Sequence, residues 1–155
     1  MKKQLLMYLV LLAACSQPGP PTLPDPVPEQ RMDAAEAGLS AALSEDAFTG
    51  SPPVITVRLT NGSGKPYEYG GYFSIEVLKD GAWHALDHSD AIFFTDPGFR
   101  DTGEVLAPGA ETSQPLSVES LGVTLTPGDY RLVKTFMPME EPFHEVSVAV
   151  PFSVE

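Results

Sequence analysis

From Val146 to Val154 every second residue is large and apolar (Val146, Val148, Val150, Phe152 and Val154), and Ser147, Ala149, Pro151 and Ser153 lie between them. A period of two marks a strand with one buried face and excludes a helix, whose apolar stripe recurs every three to four residues. Pro151 has no N–H to give, so this strand is expected at an edge or with its proline on an unpaired side. The same alternation places Ile55, Val57 and Leu59 on one face of Val54 to Thr60, and Phe73, Ile75 and Val77 on one face of Tyr72 to Leu78. It recurs in Tyr130 to Phe136, where Tyr130, Leu132, Lys134 and Phe136 share a face. Turn signals separate these runs: Asn61 to Pro66, Lys79-Asp80-Gly81, Leu106 to Gly109 and Thr126 to Asp129.

Gly38 to Leu43, Ala82 to Leu86 and Glu111 to Val118 complete a set of seven or eight strands, and Ala91 to Thr95 is a short apolar segment among them. Strands at this spacing, without a helical crossover, predict an all-β antiparallel sandwich. Trp83 is expected to cover one end of its core. Glu29 to Ala37 alone has helix-forming composition, too short for more than one turn of helix or a disordered lead-in.

The first residues obey a different logic. Met1-Lys2-Lys3 is basic, Leu5 to Leu12 is apolar, and Ala13-Ala14-Cys15 follows. An apolar run of eight is far below the roughly 20 residues of a spanning helix, so it reads as the core of a signal peptide. Leu12-Ala13-Ala14-Cys15 resembles the lipobox of bacterial lipoproteins, which implies cleavage after residue 14 and a diacylglyceryl group on Cys15. Two acyl chains anchor stably where one binds marginally. Cys15 is the only cysteine, so the domain folds without a disulfide. Ser16 to Pro28 carries six prolines and reads as a polyproline-II spacer of about 3.1 Å per residue, up to about 40 Å long. The expected organisation is a signal peptide over residues 1–14, lipidated Cys15 and a Pro-rich linker over 15–33, and one β-sandwich domain over 34–155.

Leu125 to Leu132 (LTPGDYRL) resembles the L-x-P-G-x-Y-x-L pattern opening strand F of many immunoglobulin-like domains, where the tyrosine hydroxyl ties the preceding corner. The order of a strand ending at Asn61, a Tyr-Gly-rich loop before Leu78, the Asp80-Gly81-Ala82-Trp83 hairpin and the Pro127 to Phe136 strand is similar to bacterial Ig-like domains. That resemblance spans about Leu39 to Val154. It implies the sandwich, with structural roles for Trp83 and Tyr130, and it implies no common catalytic activity.

With Lys2 and Lys3 removed the chain has seven basic residues against 21 acidic, a net charge of −14. Such a surface repels phosphate backbones, which excludes nucleic acid as a partner class. No nucleophile elbow, zinc-protease helix or phosphate-binding glycine loop occurs, so no enzyme and no cofactor are expected. The functional expectation is a lipoprotein at the cell membrane or outer membrane, facing away from the cytoplasm, whose domain binds an envelope protein. Met137, Met139 and Phe143 form an apolar loop tip suited to such contact. The alternative is a metal site: His84, Asp87, His88 and Asp90 for Zn²⁺ or Ca²⁺, or Met137, Met139 and His144 for Cu(I).

Overall fold

The computed structural model describes residues 18–155; the signal-peptide reading and the Cys15 lipid site lie outside the described residues. In chain order the elements are β1 (Ala35–Glu36), β2 (Leu39–Leu43), β3 (Ala47–Phe48), β4 (Val54–Asn61), β5 (Tyr67–Tyr69), β6 (Ser74–Lys79) and β7 (Ala82–Ala85). There follow α1 (Ala91–Thr95), β8 (Glu104–Leu106), β9 (Glu111–Ser117), a 3-10 turn (Glu119–Leu121), β10 (Gly128–Pro138) and β11 (Val146–Val154). Among the described residues no helix is long and apolar enough to cross a membrane.

Two sheets face each other. One has the order β1-β2-β4-β9. In the other, β10 is central, with β11 on one side and β3 beyond it. On its other side β10 pairs with β6 along its first half and with β5 at its end, and β7 and β8 pair in turn with β6 and β5. All pairings are antiparallel except that of β3 with β11. The fold is therefore the expected all-β sandwich, without a disulfide.

The alternating residues supply the core. Ile55, Val57 and Leu59 from β4 meet Ile75, Leu132, Phe136, Val148 and Phe152 from the opposite sheet, all buried. At β11, the N–H groups of Ala149 and Ser153 donate to Asp33 and Asp46 rather than to β10. Pro151, two residues from each, therefore has its missing N–H on the same outward side, where no β10 bond is lost. Asp80 and Gly81 both adopt positive φ (52° and 80°), the two-residue hairpin geometry that lets Ala82 pair with Lys79.

Two expectations need correction. The strand expected over Tyr72 to Leu78 is β6, but it begins only at Ser74, and residues 70–73 separate it from β5, with the backbone of Asp101 pressed into the gap. A Cβ on Gly70 would lie 1.7 Å from the Asp101 carbonyl oxygen, so glycine is required there. The short apolar segment Ala91 to Thr95 takes the form of a helical turn that carries Phe93 into the core. Glu29 to Ala37 is extended rather than helical, ending in β1 paired with β2, since a short polar run gains more from sheet bonds than from an unsupported helix.

Candidate functional site

The Pro-rich segment is hydrogen-bonded to the domain over much of its length, which corrects its reading as a free spacer. Prolines favour extended backbone, and the residues between them keep N–H groups able to pair with a strand edge. The Leu23 N–H donates to the Ala85 carbonyl (3.0 Å), the Val27 N–H to the Trp83 carbonyl (2.9 Å), and the Asp87 N–H to the Pro21 carbonyl (2.8 Å). Gln30 continues this ladder with its side chain, accepting from the Trp83 N–H (2.8 Å) and donating to the Trp83 carbonyl (3.1 Å). The segment then reaches Asp33, whose carbonyl accepts from Ala149 on β11. It is a strap across the outer face of the larger sheet.

Arg131 is its central fastening. Its Nε donates to the Glu76 carboxylate at 2.6 Å, and its terminal nitrogens donate to the carbonyls of Glu29 (2.6 Å) and Gln30 (3.2 Å). The guanidinium lies 4.7 Å from the Trp83 ring centroid. Trp83 thus packs on the outer face with Arg131 instead of closing an end of the core. Burial pushes the Glu76 carboxyl above its ordinary pKa against the opposing pull of Arg131. The Tyr130 hydroxyl donates to the Thr126 carbonyl at 2.7 Å, tying the corner before β10.

The four residues considered for Zn²⁺ or Ca²⁺ are dispersed in role. His84, half-buried on β7, has Nδ1 3.3 Å from the Leu23 carbonyl, and Asp87 is exposed while its backbone meets the strap. His88 is folded inward against the edge of Phe93, and its Nδ1 is 4.0 Å from Asp90. Among the described residues no three of His, Cys, Asp or Glu assemble as a metal site. For the Cu(I) set, His144 Nδ1 lies 2.8 Å from the Pro142 carbonyl in its own loop, and Met137 faces elsewhere.

Met139 and Phe143 are exposed, at 47% and 62%, on the loop joining β10 to β11. Met137 is half-buried and opposite Glu68 on the outer face, where it helps line a cavity of about 420 Å³. The opposite wall comes from α1 and the loop after it: Asp90, Phe93, Phe94, Phe99, Asp101 and Thr102. The floor includes Tyr72 and Gly70, and Glu145 stands at the loop side. Burial first, then the carboxylates of Asp90 and Asp101, raise the Tyr72 hydroxyl pKa. A second groove, about 840 Å³, runs between the free edge of β9 and residues 92–100. Sequence reasoning did not find the cavity, because Phe93, Phe94 and Phe99 follow no strand period.

The family model described as "Bacterial Ig-like domain" matches residues 35–153. No curated protein matches the sequence. Among solved structures, the one described as Spo0M, sporulation control protein, from Bacillus subtilis aligns at 19% identity with a TM-score of 0.40. The alignment covers 76% of this chain but only 48% of that one, so the chain spans about half its length.

Proposed function

Because the chain belongs to the bacterial Ig-like domain family, we propose that it is an exported, lipid-anchored, non-enzymatic binding module whose β10–β11 loop docks a protein of the cell envelope. The single observation behind the docking site is the exposed pair Met139 and Phe143 on an ordered sandwich. Two large apolar side chains in water favour burial, at about 25 cal/mol per Å² of apolar surface covered. The anchor rests on the Leu12-Ala13-Ala14-Cys15 pattern and places the domain on the extracytoplasmic side of the cell membrane or outer membrane. The metal reading is not carried further, since no observation favours it.

Two measurements test this. Cells expressing the Cys15→Ala protein should incorporate no labelled fatty acid into it and should release it from the membrane fraction; labelled, membrane-bound protein would refute the anchor. Cross-linking on intact cells should capture a partner with the parent protein and lose it with Met139→Asp combined with Phe143→Asp. Undiminished capture by that variant would refute the loop.

A further inference from the structure

The cavity beside the loop has walls of unusual consistency. Phe93, Phe94, Phe99 and Tyr72 supply aromatic surface, while Glu68, Asp90, Asp101 and Glu145 all carry carboxylates, and no Lys, Arg or His side chain lines it. Its volume, about 420 Å³, is in the range that encloses a ligand group of modest size.

We propose that this cavity receives a lysine or arginine side chain carried on a peptide segment of a protein partner. An anion is repelled by four carboxylates. A wholly apolar group would strip water from them without replacing it, a cost of several kcal/mol per ion at full burial. A basic side chain satisfies both wall types: its alkyl stem packs on the phenyl rings, and its charged head reaches the carboxylates and the aromatic faces. Burial is the main reason the Tyr72 hydroxyl pKa is raised, and the carboxylates of Asp90 and Asp101 push it the same way.

The nearby cations of the chain are already engaged, Lys134 with two carbonyls of the cavity floor. Arg100 donates to the carbonyls of Pro97 and Phe99, Arg131 is fastened to Glu76 and the strap, and the Lys134 amine is tied to the carbonyls of Gly70 and Tyr72. Continuity favours a peptide over a free cation. Met137 and Glu145, which line the cavity, directly flank the loop bearing Met139 and Phe143, and Phe94 at the rim is 75% exposed. A segment resting on that loop is positioned to insert a neighbouring side chain. The proposal therefore rests on the docking reading above but uses different residues, so the two can fail separately.

The test is a calorimetric titration of the full-length protein in detergent with capped pentapeptides Leu-Gly-X-Gly-Leu, where X is lysine, arginine, norleucine or glutamate. Lysine and arginine peptides should saturate one site, weakening as salt is raised, while the norleucine and glutamate peptides should bind at least about tenfold more weakly. Asp90→Asn with Glu145→Gln, nearly isosteric changes of exposed side chains, should weaken the lysine peptide about tenfold, and Phe94→Ala should weaken it without altering the circular dichroism. Phe143→Ala should leave lysine selectivity intact even where it abolishes capture on cells, which separates the cavity from the loop. Equal binding of the norleucine peptide, or indifference to the paired carboxylate substitutions, would overturn the proposal. So would butylammonium binding as tightly as the lysine peptide, which would assign the cavity to a small free cation.

Discussion

Lys134 shows what a periodic pattern does and does not say. Its place in the alternation puts it on the inward face with Tyr130, Leu132 and Phe136, and there it is 1% exposed. The pattern gives no reason for a charge in that position. The reason is the break between β5 and β6: the amine donates to the carbonyls of Gly70 (2.6 Å) and Tyr72 (2.7 Å), which that break leaves without strand partners. Burial lowers its pKa from 10.5 to about 8, with the Asp101 carboxylate pulling the other way. Below pH 8 both folded and unfolded chains hold the proton. Between about 8 and 10.5 the unfolded chain holds more, so stability should rise with pH. Above 10 the Tyr72 and Tyr130 hydroxyls, both raised, ionise first in the unfolded chain and reverse the trend. Unfolding in denaturant should therefore show a gain on the order of 2 kcal/mol from pH 8 to 10, and Lys134→Met should flatten it. An unchanged slope in that variant would assign the effect to other groups. Tyr130 offers a cleaner subtraction. Tyr130→Phe removes the bond to the Thr126 carbonyl and little else, so the denaturant midpoint should fall by about 1 kcal/mol equivalent with an unchanged slope.

Strands with one wet face are legible because their side chains report burial at a fixed period, and β4, β6, β10 and β11 could each be read in that way. The strap carries no such signal. Its attachment is through backbone N–H and carbonyl groups and one glutamine side chain, and backbone groups are the same in every sequence. Prolines from Pro18 to Pro28 predict extended chain correctly but are silent on whether that chain is paired or free. Arg131 and Glu76 were equally opaque: they occupy the outward face of their strands, as charges should, and are buried only because the strap covers them. The gap between β5 and β6 escaped for a related reason, since it depends on the close approach of Gly70 to Asp101 across 31 positions of chain. The strap makes a specific prediction. Arg131→Ala leaves the Glu76 carboxylate buried alone and should cost about 3–5 kcal/mol. It should also accelerate amide exchange at Leu23, Val27 and Asp87 more than at Val57 or Leu132. Arg131→Met with Glu76→Met should recover most of the stability, since apolar groups of similar size replace the pair, while those three amides stay fast. Recovery of their protection would mean that the strap is held by its ladder alone.

For the molecule as a whole, the strap changes what the proposed anchor would imply for how the domain meets its surroundings. A free spacer would lift the sandwich by up to about 40 Å at 3.1 Å per residue. With the chain paired from Pro21 onward, the stretch from Cys15 to Pro21 spans at most about 22 Å at full extension. Gly19 lies beside Thr126, since a Cβ there would be 4.0 Å from the threonine hydroxyl, and Thr126 stands two residues before β10. Met139 and Phe143 follow the other end of β10, eleven residues or about 36 Å away along the strand. On the proposed anchor the sandwich itself would act as the spacer, with the loop and the cavity at its far end. Distances to the membrane test this layout directly. Cys15 is the sole cysteine and is occupied in a lipidated protein, so Lys79→Cys or Phe143→Cys each introduces a single labelling site. Lys79, at the level of Gly128 where β10 begins, should lie on the near side. In vesicles with acceptor dye on the lipid headgroups, a donor at position 79 should transfer strongly and one at position 143 weakly. Arg131→Ala should reduce transfer from position 79 as the strap releases and the tether lengthens. Equal transfer from both positions would show the domain tumbling freely on its anchor, and stronger transfer from position 143 would turn the loop toward the lipid rather than toward a partner beyond it.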